Sequence, residues 1–190
     1  LSDVASYSLC ARLALVIVFL HQVLSTGFFK QLYQMDNAKV GRLLATWIAA
    51  LSLIALVLAA AARYLAPWLV IGTGIAPAAI LPIFPAIIVQ TTLWVLNANL
   101  ELYVNRELIA HKASAWLAGL IVAAGGVGYA LHATHALDLM TIIHLYNGLM
   151  VASMVAQMRL LSRKGFSFAL CYLALPLTFL PLLVAALPAP

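Results

Sequence analysis

Apolar stretches long enough to cross a lipid bilayer recur along this whole chain, with short polar segments between them. A spanning helix needs about 20 mainly apolar residues, so a chain of this length can supply about six such helices. Hydrophobic residues make up 66% of the sequence and charged residues 8%, whereas an ordinary soluble domain has roughly 45–50% and 25%. Backbone groups in lipid must be satisfied within the protein, which favours helices. The sequence therefore predicts an all-α integral membrane protein.

The predicted architecture is a single polytopic transmembrane domain over residues 1–190, a bundle of about six transmembrane helices. The third helix contains Gly72, Gly74, Pro77, Pro82 and Pro85. Each proline removes a backbone donor and clashes with the preceding turn, so we predict that this helix is broken between Gly72 and Pro85. The predicted spans are Tyr7–Phe29, Gly41–Tyr64, Trp68–Leu96, His111–Leu131, Leu139–Leu160 and Phe166–Leu187.

The spacing P-x4-P occurs both from Pro77 to Pro82 in the third span and from Pro176 to Pro181 in the sixth. The same offset superposes the first span on the fourth and the second on the fifth. Two halves of three spans would lie in opposite orientations, which is the 3+3 inverted repeat of many secondary transporters. Proline is also frequent in membrane helices generally, and the sequence leaves that simpler explanation open.

Basic residues concentrate in alternate connections between the predicted helices, and these connections must share one face of the membrane. The opposite connections contain Arg63 alone. Because cytoplasmic loops carry the excess of Lys and Arg, we expect both termini outside, in the periplasm if the membrane is a bacterial inner membrane. The same rule accounts for the net charge of +5, so the expected partner is the lipid bilayer and not nucleic acid. The basic residues on the predicted inner face are Lys30, Lys39, Arg42, Arg106, Lys112, Arg159, Arg163 and Lys164.

A group of metal-ligand residues follows the fourth predicted span, on the expected outer side. It comprises His132, His135, Asp138 and His144. Imidazole and carboxylate ligands within one short segment suit zinc or copper. The alternative is an interfacial histidine cluster that contacts lipid headgroups or the backbone.

Methionine and polar residues form one stripe along the fifth predicted span, at helical spacing. Thioethers suit Cu(I), and a series of weak sites lets an ion enter and leave. Methionine also fills irregular gaps between helices, which is the alternative interpretation. The predicted transport path consists of Asn147, Met150, Met154 and Met158, with Met140 and His144 at its outer end.

Two further places carry polar residues within the predicted membrane region. His21, with Arg12 earlier in the first span, is a candidate for binding a cofactor such as haem or quinone. The polar residues from Asn97 to Asn105 alternate, which suggests a short extended or re-entrant segment, and Glu107 lies four residues before His111 on what we expect to be one helix.

Two functions remain open at this stage. The first is movement of a small solute or a soft metal ion, copper above all, across the membrane. The second is a cofactor-binding, quinone-binding or accessory subunit of a membrane redox complex, respiratory or photosynthetic. The sequence lacks the common soluble-enzyme motifs, so we expect no catalytic activity from the chain on its own, and we expect a homo-oligomer or a larger membrane complex.

Overall fold

The structure is a computed structural model that describes residues 2–185, apart from the side chains of Ser2, Asp3, Leu24 and Phe29. Five of its helices are long and apolar enough to cross a membrane, and a shorter apolar helical segment follows at residues 169–185. The elements are α1 Ser2–Tyr33, α2 Asn37–Leu69, α3 Pro77–Ile80, α4 Ile83–Arg106, α5 Ala110–Ala133, α6 Leu139–Ser162, α7 Ala169–Ala174, a 3-10 turn at Leu175–Phe179, and α8 Leu180–Ala185.

Helix α4 is the centre of the bundle and packs against α1, α2, α6 and α8. The most apolar window of its span is 67% buried, whereas the corresponding window of α5 is 0% buried. Helix α5 rests mainly on α6 and touches α4 along part of its length. The first two turns of α4 are apolar on every side, as a helix surrounded by other helices requires.

The chain between α2 and α4 breaks as predicted. Gly72 and Gly74 have φ of +75° and +71°, a backbone conformation in which glycine has no steric penalty. Pro77 begins α3, and Pro82 precedes α4. Pro85 lies in the first turn of α4, where a proline has no intrahelical hydrogen bond to lose.

The boundaries of the third span differ from the prediction. Trp68 belongs to the last turn of α2, because Pro67 is accommodated in that helix and the chain turns only after it. The span itself runs over Pro77–Arg106. The segment from Asn97 to Asn105, predicted as extended or re-entrant, is regular helix within α4. Two of its polar side chains, Asn97 and Asn99, donate to carbonyls of their own helix.

Glu107 and His111 are also not on one helix. Glu107 ends α4, and Leu108 has a positive φ of 56°, which turns the chain before α5 begins at Ala110.

Three of the predicted inner connections meet at one end of the bundle, which we call the basic end: residues 34–36, 107–109 and 163–168. The Arg106 guanidinium donates to the main-chain oxygens of Tyr33 and Met35 and to the side chain of Asn37. The Asn37 amide in turn donates to the main-chain oxygen of Lys164 at 3.0 Å. These alternate connections therefore lie at one end of the bundle, which agrees with their expected placement on one side.

The segment after α6 is shorter and less regular than the predicted sixth span, because Pro176 and Pro181 interrupt its hydrogen bonding. It runs alongside α2. Near its start the Cys171 thiol donates to the Gly41 main-chain oxygen at 3.2 Å, and near its end Arg63 donates to the Val184 oxygen at 2.5 Å. Residues 186–187 of the predicted span lie outside the described residues.

Candidate functional site

Two polar stripes face each other across the contact between α4 and α6. Both repeat at intervals of three or four residues, so each lies along one side of its helix. Every member lines a cavity of the bundle. The stripe on α4 consists of Gln90, Trp94, Asn97, Glu101 and Asn105, and the stripe on α6 consists of Tyr146, Met150, Ser153 and Gln157.

The largest concentration of these polar groups lines a cavity of about 270 Å³ between α4, α5 and α6. We call it the amide cavity, after Asn97 and Gln157 in its wall. The same wall contains the carboxylate of Glu101 and three aromatic side chains, Trp94, Trp116 and Tyr146. The cavity therefore combines one negative charge, hydrogen-bonding groups and ring faces, which is the usual composition of a small-molecule site.

The amides of the cavity wall have a fixed orientation. Asn97 Nδ2 donates to the main-chain oxygens of Leu93 at 2.9 Å and Met150 at 3.0 Å. Carbonyl oxygens cannot donate, so the Asn97 Oδ1 atom must point the other way, where it accepts from Gln157 Nε2 at 2.9 Å. Gln157 Nε2 also donates to Ser153 Oγ at 3.3 Å. All the donor nitrogens of this network are therefore engaged inside the protein.

The acceptor oxygens are less well satisfied. The Gln157 Oε1 atom is buried and has no hydrogen-bond partner among the described residues, and the same holds for Gln90 Oε1 and Asn147 Oδ1. Buried polar atoms almost always have a partner. Two of these unpaired oxygens belong to residues that line cavities, Gln157 and Gln90.

Two more cavities lie along the α4 stripe, toward the end of the bundle opposite the basic end. Both are lined by Tyr7, Gln90 and Tyr146, and we call them the Gln90 cavities. One of them shares Trp94 and Tyr146 with the amide cavity. The three cavities thus follow one side of α4 in series, over about 22 Å from Gln90 to Asn105.

The predicted transport path on α6 faces the interior of the bundle, but its members have different roles. Asn147 is buried and donates to the main-chain oxygen of Ala86 at 3.2 Å. Met154 and Met158 are buried in the hydrophobic core. Met150 lines the amide cavity.

The predicted metal ligands lie around the start of α6 and are exposed. Among the described residues, no three His, Cys, Asp or Glu side chains are placed to hold a metal ion, so the expected set of His132, His135, Asp138 and His144 is not assembled. The Asp138 carboxylate instead caps α6, accepting from the Thr141 main-chain nitrogen at 2.7 Å. Hydrogen bonds from the Thr141 side chain and backbone, together with the charge of His144, hold the pKa of Asp138 below its ordinary value.

His21 and Arg12, predicted to bind a cofactor, lie about 13.5 Å apart along α1. His21 is half-buried, and its Nδ1 atom is 3.5 Å from Asn99 Nδ2, with its ring edge-on to Trp47 at 6.4 Å. Arg12 is exposed on the surface of α1. The two residues therefore do not form one site on this helix.

Sequence reasoning singled out Met150 but did not assign the other residues of the amide cavity to a site, Glu101 and Gln157 above all. The signal was present, because Gln90, Trp94, Asn97, Glu101 and Asn105 recur at helical spacing. The alternation of Asn97, Asn99, Glu101, Tyr103 and Asn105 at a spacing of two obscured it. Glu101 belongs to both patterns, and only the helix assignment decides between them.

Comparison with known proteins gives no further guide. No protein-family model, no curated protein and no solved structure matches this chain.

Proposed function

We propose that this chain is a membrane transport protein that moves a small polar solute along the seam between α4 and α6. The observation that carries the proposal is the series of three cavities lined by facing polar stripes on two helices long and apolar enough to cross a membrane. Polar side chains in membrane helices cost free energy and usually mark a substrate or ion pathway. A purely structural bundle has no need of seven such side chains on the facing sides of two helices.

A small solute fits the cavities better than a soft metal ion. Of the predicted path residues, Met154 and Met158 are buried in packing, and Met150 is the thioether that reaches the amide cavity. The polar groups of the remaining wall are oxygens and amides, which are poor ligands for Cu(I), and the rest of it is aromatic or aliphatic. Trp94 and Tyr146, shared by the amide cavity and a Gln90 cavity, are the natural positions for a constriction between the two.

The proposal includes insertion in a membrane, with the basic end toward the cytoplasm and, in a bacterium, with both chain ends toward the periplasm. The 3+3 inverted repeat is compatible with transport and remains part of the proposal. Both P-x4-P segments coincide with interruptions of regular helix, at α3 and at the 3-10 turn after α7. Assembly into a homo-oligomer or larger complex would cover α5, which has no buried residue in the single chain.

Uptake into proteoliposomes tests the proposal. The probes are a guanidinium cation, methylguanidinium; a neutral amide, methylurea; a zwitterion, glycine; and Cu(I). Ala98 lines the amide cavity, so Ala98→Phe should narrow it and reduce uptake of the transported probe at least tenfold. The matched control is Ala118→Phe, on the exposed surface of α5, which should leave uptake unchanged.

Two results would overturn transport through this seam: uptake of none of the four probes, or uptake that Ala98→Phe and Ala118→Phe affect equally. An optical spectrum with haem or quinone bands from protein purified from its native membrane would instead favour the redox-subunit alternative.

A further inference from the structure

The acidic residues of this chain are distributed unevenly. The sequence contains five, and Glu101 alone lies within the five candidate membrane spans found among the described residues. Its side chain is exposed, and the surface it faces is the amide cavity. A carboxylate in such a position is costly to the protein unless it has a partner or a function.

The protein itself supplies no counter-charge to Glu101. In the described part of the chain, the ion pair that is present joins Arg106 to Glu107 at 3.2 Å, and no hydrogen bond or ion pair engages the Glu101 carboxylate. Arg106 is the nearest basic residue along α4, but its guanidinium is committed to the α1–α2 connection and to Glu107. The negative charge of Glu101 therefore remains available to a ligand.

The neighbouring groups select the sign and the hydrogen-bonding character of that ligand. The donor nitrogens of Asn97 and Gln157 are used within the wall, whereas Gln157 Oε1 lacks a donor. The acceptors of the wall are thus the Glu101 carboxylate and the Gln157 amide oxygen, which lie beside neutral polar groups such as Asn105 and Tyr146. Trp94, Trp116 and Tyr146 add ring faces, which attract cations through their quadrupoles.

We infer that the amide cavity binds a small organic cation that carries N–H donors, such as an alkylammonium or guanidinium group, with Glu101 as its counter-ion. The inference rests on the proposed function in that it names the class of solute moved. Unlike the proposed transport function, the inference requires only equilibrium binding. Either one can therefore be contradicted by experiment while the other holds. An anionic solute would meet the unpaired Glu101 carboxylate and no basic side chain in the cavity wall, which disfavours that class.

Equilibrium dialysis on the full chain in lipid nanodiscs tests the inference with three probes. Methylguanidinium has both charge and donors, methylurea has donors without charge, and tetramethylammonium has charge without donors. We expect methylguanidinium to bind at least tenfold more tightly than either of the others. Glu101→Gln, which keeps the size of the side chain, should weaken methylguanidinium binding at least tenfold and leave methylurea binding unchanged.

The control variant is Glu107→Gln, which removes a carboxylate at the same end of the bundle but outside the cavity and keeps an acceptor for Arg106. It should bind methylguanidinium like the parent protein. Circular dichroism and gel filtration of each variant verify folding, and intrinsic fluorescence of Trp94 and Trp116 reports occupancy of the cavity independently.

The inference is overturned if the parent protein binds methylurea as tightly as methylguanidinium, if it binds neither, or if Glu101→Gln and Glu107→Gln weaken binding equally. Tetramethylammonium bound as tightly as methylguanidinium would also overturn it, because donors would then play no part. Cation binding without uptake in proteoliposomes would support the inference while contradicting transport. Uptake of methylurea or glycine without cation binding would support transport while contradicting the inference.

Discussion

Arg106 Nη1 donates a hydrogen bond of 2.7 Å to the main-chain oxygen of Met35, in the connection between α1 and α2. The same guanidinium lies over the rings of Tyr103 and Phe166, 5.2 Å and 5.1 Å from their centroids. Phe166 belongs to the connection after α6. One side chain therefore joins two connections that are far apart in sequence to the end of α4 on which Glu101 lies.

We expect Arg106→Lys to destabilise the protein by at least about 1.5 kcal/mol, because hydrogen bonds to a charged group contribute about that much and lysine cannot reproduce the planar fork. Unfolding in mixed detergent micelles measures the change. Arg159→Lys is the control, since Arg159 is exposed on α6 near the same end. Equal stability of the two variants would contradict the role given to Arg106.

A second prediction concerns Gly41, at the start of α2. A Cβ atom on this residue would lie 1.7 Å from the main-chain oxygen of Ser167, so the connection after α6 would have to move. Overpacking of this kind costs about 1–3 kcal/mol, and we expect Gly41→Ala to lose that much stability. It should also loosen Cys171, whose thiol contacts the Gly41 oxygen.

Gly27→Ala is the matched control, because a Cβ atom at Gly27 in α1 would meet nothing within 4 Å. This variant should be neutral or slightly stabilised, as alanine is the better helix former. Unfolding in detergent compares the two variants, and labelling of Cys171 by a small maleimide reports the local effect. A Gly41→Ala protein as stable as Gly27→Ala would show that Ser167 moves at no cost.

The features that could be predicted from the sequence are those that depend on the order of apolar and charged residues along the chain. The long helices follow from apolar runs, the break after Gly72 follows from local backbone chemistry, and the placement of the basic connections at one end of the bundle follows from their alternation along the chain. Each of these depends on a residue's own neighbours in the chain. None requires knowledge of which helices are adjacent.

The candidate site could not be predicted in the same way, because it depends on which side of α4 meets α6. Asn97 and Asn99 are both buried asparagines of one helix. Asn97 meets Gln157 on α6, whereas Asn99 points toward His21 on α1. The sequence alone does not show which of these two asparagines faces α6 and which faces α1. The methionine stripe on α6 could be recognised in the sequence because Met154 and Met158 recur at helical spacing. Any packed helix face has the same spacing, so the stripe was misleading as a sign of a transport path.

A third prediction concerns Asp138, whose hydrogen bonds with Thr141 lower its pKa. A depressed carboxyl pKa means that the cap stabilises the start of α6 above the unfolded-state pKa and that this stabilisation is lost as pH falls through the folded-state pKa. Thr141→Val removes the side-chain hydrogen bond and keeps the main-chain donor. We expect the variant to raise the pKa of Asp138 toward its ordinary value.

Carbon-13 NMR of the Asp138 carboxyl in labelled protein measures its pKa directly in the parent protein and in the variant. His144 contributes a smaller, electrostatic effect, so His144→Gln should raise the pKa less than Thr141→Val does. A larger effect from His144 would indicate that the charge of His144, and not the helix cap, governs this carboxylate. That outcome would revive the histidine cluster as a functional group.

The last prediction concerns orientation, which the positive-inside rule determines independently of the cavities. Arg163 is exposed in the connection after α6, at the basic end, and Ala136 is exposed in the connection between α5 and α6, at the opposite end. Cysteine at each position can be labelled with a membrane-impermeant maleimide. The native Cys10 and Cys171 are both buried and give little background.

We expect Ala136→Cys to react in intact cells and Arg163→Cys to react only after the membrane is permeabilised, because the connections rich in Lys and Arg stay in the cytoplasm. The reverse pattern would invert the bundle and place Glu101 near the periplasmic surface. In the predicted orientation, an inside-negative membrane potential draws cations from the Gln90 cavities toward Glu101. In the inverted orientation, the same potential would draw them from Glu101 toward the Gln90 cavities. Under the proposed cation transport, the labelling result therefore decides which end of the seam a cation enters first.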